Sequence, residues 1–153
     1  MPLDKALIAR VFSDAQVGYE VGEVPGLGEV VRVAPSDAAA ALKALKESAH
    51  AYHFLVDLFG IDTGEYVEVV YHIRSFVYDE EIDLRIRMPY GSNLESVWEV
   101  YAAALLPERE CAEMFGLTLS GHPNPKRLLT IEGAPALLLK SVEIRTPEEV
   151  RDR

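Results

Sequence analysis

The segment ALLPERECAEMFGLTLSGHPNPKRLL, residues 104–129, holds three glutamates, two arginines, a cysteine and a histidine. Residues of these types do acid/base, metal or nucleophilic chemistry when their spacing brings them together. Glu108 and Glu110 are two residues apart, so on a helix they point nearly opposite ways and do not form a carboxylate pair. Glu110 and Glu113 share a helix face, and Arg109 is spaced to pair with Glu113 one turn on. As a free-standing enzyme, the chain would use Glu110, Glu113 and His122 as its acid/base groups. The histidines, His50, His53, His72 and His122, form neither an HExxH nor an H-x-H pair, and no metal site is expected. Cys111 has no local Cys/His signature and reads as a buried structural thiol.

A structural reading explains most of the same pattern. Pro107 at the first helical position and Gly116 as the stop frame a short helix. Glu108 and Glu110 then lie in or near its first turn, where the helix dipole favours anions by about 0.3–1 kcal/mol. Met114, Phe115 and Leu117 pack into the core. Beyond the helix, SGHPNPKRLL (120–129) is stiffened by prolines and given freedom at Gly121, with Lys126 and Arg127 before an apolar pair. A rigid extended loop beside a charged helix suits protein recognition, because preorganisation lowers the ordering cost of docking.

The elements that must position this segment follow from periodicity. Residues 3–13 carry Leu3, Leu7, Ile8 and Val11 at helical spacing. A Gly-rich turn leads into a strand at Val30, Val31 and Val33. Ser36 is placed to cap a helix over DAAAALKALKESAHA. Residues 53–62 read as a strand, 62–64 as a turn, and 65–76 with 81–90 as an antiparallel hairpin. In its second strand Ile82, Leu84, Ile86 and Met88 face one way, and Asp83, Arg85 and Arg87 the other. Residues 94–106 read as helix, and 137–144 as a short strand before a charged tail. The expected fold is α+β: an antiparallel sheet with helices mainly on one face. A single domain over 1–135 is followed by an extension over 136–153.

Composition bounds the function. The 153 residues carry 15 Lys+Arg against 25 Asp+Glu, a formal charge of −10. That argues against a nucleic-acid surface, which needs clustered basic residues. A single cysteine excludes an internal disulfide and a Cys-ligated zinc or iron–sulfur centre held by this chain alone. GLGEV (26–30) lacks the third glycine of a dinucleotide fingerprint and leads into a strand. No stretch approaches the ~20 apolar residues of a membrane helix, so a soluble protein is expected.

ERECAEMFGLTLSGHPNPKRLL resembles the signature of the 30-kDa subunit of respiratory complex I. The matching positions are Glu108, Arg109, Glu110, Glu113, Phe115, Gly116, Gly121, His122, Pro123 and Arg127, with Leu128 and Leu129. Upstream, VEVVYHIRSF and DLRIRMPY are similar to the family's paired strands. Pro107 and Cys111 stand where the family usually carries aromatics. The resemblance implies a non-catalytic core subunit in the hydrophilic arm of a complex I-like NADH, F420H2 or ferredoxin:quinone oxidoreductase. Such a subunit supports the large 49-kDa-type protein that helps form the quinone site. It implies no cofactor in this chain, with iron–sulfur clusters and a flavin or other donor site on partners. It places the chain peripherally on the cytoplasmic side of the cell membrane, attached only through the complex. The ten signature residues from Glu108 to Arg127 would then be assembly residues, none of them catalytic, cofactor-binding or metal-binding. The alternatives are the equivalent subunit of a membrane-bound energy-converting hydrogenase and a stand-alone interaction module.

Overall fold

The computed structural model describes residues 3–143. Helix α1 (Lys5–Asp14) starts at Asp4, whose carboxylate accepts the Ala6 and Leu7 N–H groups at 3.1 and 3.0 Å. It buries Leu7, Ile8 and Phe12. Strands β1 (Tyr19–Val24) and β2 (Gly28–Val33) form an antiparallel hairpin. The apolar pattern marks only β2, because β1 is a sheet edge with no buried residue to betray it. A 3-10 turn, Pro35–Asp37, leads into helix α2 (Ala38–Glu47). Ser36 lies inside that turn and caps nothing; α2 grows out of the turn without a side-chain cap.

Strands β3 (Phe54–Asp62), β4 (Val67–Ser75) and β5 (Glu80–Met88) follow. The five strands lie in the order β1-β2-β5-β4-β3. Every pair is antiparallel except β2–β5, so the sheet is mixed where an antiparallel one was expected. The reason is α2: it carries the chain from β2 to β3, so that the β3–β4–β5 meander returns with β5 parallel to β2. Along β3 the alternation is broken by a bulge between Leu55 and Asp57, which puts Leu55 and Leu58, three residues apart, on the same buried side.

The three α-helices among the described residues cover one face. Their buried side chains join Val67, Val69, Tyr71, Ile73, Leu84 and Ile86 of the central strands in one core. The expected alternation in β5 holds: Ile82, Leu84, Ile86 and Met88 point into that core. On the helix-free face, Arg85 is nevertheless only 4% exposed. It donates to Glu68 at 2.7 Å and Asp83 at 3.2 Å, while Arg32 reaches Glu68 from β2 at 3.1 Å.

The expected helix over 94–106 does not form. Its place is taken by strand β6 (Asn93–Glu95), a turn at Val97–Tyr101 and a 3-10 turn at Ala102–Ala104. The helix-like spacing of buried Leu94, Val97, Tyr101 and Ala104 is real, but it is met by turns. Tertiary acceptors have captured the backbone donors: Ser96 N–H goes to the Ser120 carbonyl at 2.8 Å and Val97 N–H to Glu108 at 2.6 Å. Helix α3 (Leu105–Phe115) then leads to strand β7 (Thr118–Ser120), which pairs with β6 in a separate parallel ribbon. Residues 137–143 are turns, without the strand expected there; residue 144 and the charged tail lie outside the described residues.

Candidate functional site

Helix α3 begins at Leu105, two residues before the expected start, so Pro107 occupies its third position. It still lies in the first turn, where a missing N–H breaks no helical bond. Gly116 ends the helix in the left-handed conformation at φ 69°, as the sequence predicts. The face toward the sheet is close-packed. A β-carbon on Gly60 of β3 would meet the Phe115 ring at 2.6 Å and the Cys111 sulfur at 3.2 Å. Cys111 is buried, and burial pushes its thiol up to about 12, so the inert structural reading holds.

The three glutamates diverge. Glu110 is exposed. Glu108 is fully buried beneath the 96–98 turn, where it accepts the Val97 N–H and the Ser96 hydroxyl. Burial raises its carboxyl above the ordinary range, and the Ser96 and Val97 bonds oppose that rise. Glu113 faces the proline loop and accepts the Leu128 and Leu129 N–H groups at 2.9 and 2.7 Å and the Thr130 hydroxyl at 3.2 Å. Burial works to raise its carboxyl too, but these bonds prevail and hold it low.

The expected Arg109–Glu113 pair does not form. Arg109 donates instead to the Lys126 and Arg127 carbonyls at 2.7 and 2.8 Å. One helix face therefore clamps the loop from both chemical sides: Arg109 takes carbonyls and Glu113 takes amides, within five consecutive residues. Arg127 continues the network to the Thr130 hydroxyl and the Ala134 carbonyl, at 2.7 and 2.9 Å.

His122 turns inward. Its Nδ1 accepts the Asn124 N–H at 2.9 Å, which leaves the proton on Nε2 to donate to the Leu105 carbonyl at 2.8 Å. It lies 3.9 Å from Glu108 but directs that proton to the helix start. Gly121, at φ 70°, makes the reversal that lets His122 tuck under, and its carbonyl accepts the Trp98 indole N–H at 2.9 Å. Pro123 is exposed at the loop surface. Sequence reasoning missed Ser96, Trp98 and Thr130 as partners of this segment. Of these only Trp98, the sole tryptophan, carried any signal.

A second anchor holds the following chain. The Leu138 N–H donates to the Met114 carbonyl at 3.0 Å, and the Lys140 N–H to Asp62 at 2.7 Å. Asp62 also accepts from Gly64 and the Tyr90 hydroxyl, which together with Lys140 hold its carboxyl low. Between α3 and the loop lies a cleft of about 480 Å³ whose lining includes Arg109, Glu113, Lys126 and Arg127. Arg109, Glu113 and Arg127 are bonded there to main-chain groups or to Thr130. Among the described residues no group of three or more His, Cys, Asp or Glu is placed to hold a metal ion. None of the described helices is long and apolar enough to cross a membrane.

The sequence and the fold have known counterparts. Residues 31–147 match the family described as "Respiratory-chain NADH dehydrogenase, 30 Kd subunit". The NADH-quinone oxidoreductase C subunit of Phenylobacterium zucineum is 31% identical over 144 residues, 88% of this chain and 67% of that protein. Its counterpart in Moorella thermoacetica is 32% identical over 128 residues, 80% of each chain. That of Caulobacter vibrioides is 32% identical over 115 residues, 69% of this chain and 58% of the relative. The chain thus spans roughly half to four fifths of the length of the curated relatives it matches. Its fold is shared with a chain from the membrane-bound sulfane sulfur reductase, an archaeal respiratory membrane complex. That likeness has a TM-score of 0.69 at 18% identity and covers 86% of this chain and 79% of the other. The match across most of the sequence, the signature around α3 and the shared fold agree: the chain belongs to the family of the respiratory-chain NADH dehydrogenase 30-kDa subunit.

Proposed function

We propose that this chain is a non-catalytic subunit of the hydrophilic arm of a complex I-like NADH, F420H2 or ferredoxin:quinone oxidoreductase. In this reading it supports the 49-kDa-type protein beside the quinone site, peripherally on the cytoplasmic side of the membrane. Clusters, flavin and donor site belong to its partners. The observation that carries the reading is the commitment of the α3 charges. Glu108, Arg109 and Glu113 bind main-chain groups of the 96–98 turn and the 126–129 loop. A helix with three of its four ionic groups engaged in holding loops is suited to presenting a fixed surface and not to transferring protons.

The test is purification of the assembled complex from membranes through an affinity tag on this chain. The large quinone-site protein should be recovered with it, together with quinone reductase activity. Arg109→Ala, which frees two loop carbonyls without opening the core, should lower that recovery severalfold while the chain stays folded. A chain recovered alone and turning over small substrates would refute the proposal.

A further inference from the structure

The helix-free face of the sheet is divided along its width. Its centre is closed by the Arg32–Glu68–Arg85–Asp83 network, but its β3 side is apolar and open. Pairing with β4 sets which β3 residues share this face: Phe54 lies opposite Arg74, Asp57 opposite His72, Phe59 opposite Val70 and Ile61 opposite Glu68. Phe54, Phe59 and Ile61 are all exposed. From Phe54 to Ile61 the stripe runs about 23 Å at ~3.3 Å per residue. It continues onto the β4–β5 turn, where Phe76 and Val77 are 67% and 69% exposed, and the Phe76 ring stands 5.4 Å from that of Phe54. Exposed apolar side chains over this extent, interrupted on β3 by the exposed Asp57, mark an interaction site.

The charges bordering the stripe select its occupant. Asp57 and Asp79 are exposed and Glu81 is 42% exposed; Arg74, the basic residue among them, is already bonded to both Asp79 and Glu81. Farther along the face, Arg87 is turned to Glu20 at 3.6 Å. Two copies of this chain meeting face to face would set like charges against one another on molecules of net charge −10. Strand addition along the β3 edge is hindered as well. The bulge breaks the edge register, and the Leu58 N–H is taken by the Asp57 side chain at 2.8 Å. What remains is face-to-face packing by a different surface, apolar at its middle and basic at its rim.

We infer that the Phe54–Phe59–Ile61 stripe with Phe76 and Val77 docks a neighbouring protein of the same complex through an apolar patch bordered by lysine or arginine. This rests on the reading of the chain as a complex subunit, and assigns one face of it to one kind of partner. The face is distinct from α3 and its loop, which lie across the sheet.

The experiment places a photo-crosslinking phenylalanine analogue at Phe59, and separately at Val77, in the tagged chain within the assembled complex. The expected crosslinks join peptides of another hydrophilic-arm protein in which apolar residues are flanked by Lys or Arg. In parallel, Val77→Asp, on an exposed turn outside the core, and Phe59→Asp should each cut co-purification of that protein about tenfold or more, with the far-UV spectrum and melting temperature of the chain unchanged for Val77→Asp. Crosslinks to a second copy of this chain overturn the inference, as do crosslinks to an acidic surface. Full retention of the partner by both variants, with Arg109→Ala still impairing assembly, overturns the assignment of this face and leaves the scaffold reading standing. A chain that joins no oxidoreductase complex under any condition overturns both.

Discussion

Replacing Glu108 by alanine and by glutamine separates two opposing contributions of one side chain. The carboxylate is fully buried and satisfies the Val97 N–H at 2.6 Å and the Ser96 hydroxyl. Glu108→Ala leaves the buried Val97 N–H without an acceptor, at about 1–3 kcal/mol, and removes the bond of the half-buried Ser96 hydroxyl, worth about 1 kcal/mol more, so a loss of about 2–4 kcal/mol is expected. Glu108→Gln keeps a carbonyl for Val97 and removes the buried charge, so near neutral pH its stability should lie within about 1 kcal/mol of the parent. The pH dependence gives the sharper test. Because burial raises this carboxyl, the folded chain holds the proton more tightly than the unfolded chain. Its contribution to stability is therefore present below the ordinary carboxylate range and is lost as pH rises through the folded value. Urea unfolding of parent and Glu108→Gln at a series of pH values should show this fall in the parent and a flatter profile in the variant. If Glu108→Gln is as destabilised as Glu108→Ala, or titrates like the parent, the account of a costly buried carboxylate is wrong.

Other positions test neighbouring steps. Glu113→Ala should free the 126–130 loop, raising tryptic cleavage after Lys126 and Arg127 and lowering stability by about 2–4 kcal/mol for the lost amide acceptors. Glu113 and Asp62 are both held low, so the stability they supply is present at neutral pH and is lost as pH falls through their folded values; Glu113→Ala should flatten that acid limb in thermal melts. Gly60→Ala drives a methyl into the Phe115 ring and should cost about 1–3 kcal/mol by chemical denaturation, with partial recovery on adding Phe115→Leu. Gly116→Ala combines a left-handed backbone with contact on Ala136 at 3.3 Å, and should lower the melting temperature through a loss of about 1–2 kcal/mol.

What the sequence made legible, and what it did not, divides along the range of the interactions. Helix α1, strands β2 to β5 and the stop at Gly116 each announce themselves within a few residues, through period or through a residue type that tolerates positive φ. The failures lie where a distant group decides. Nothing local to Ser96 or Val97 says that a carboxylate eleven or twelve residues later will capture their donors, so a helix-like apolar spacing misled. Nothing in i, i+4 spacing says that the Lys126 and Arg127 carbonyls will claim Arg109 before Glu113 can. The parallel β2–β5 pairing was likewise hidden, since periodicity carries no strand order.

The same division explains why the segment around α3 resembles an active site in sequence. Glutamate, arginine and histidine suit catalysis because each makes strong directional bonds, and the same property suits them to fix irregular backbone that has no ladder of its own. The 96–98 turn and the 121–130 loop are two such stretches. Glu108 serves the first, Arg109 and Glu113 serve the second, and His122 ties the loop to the helix start through the Leu105 carbonyl. Catalysis would need at least one of these groups to face a cavity with a lone pair or proton uncommitted. Among the described residues Glu110 alone of the three glutamates has no bonding partner, and it is solvent-exposed, with Cys111 and Arg109 beside it turned to other tasks. Most of the charge of the segment is therefore engaged in holding its two loops, and under the proposed subunit role that rigidity would keep one surface fixed for its neighbours.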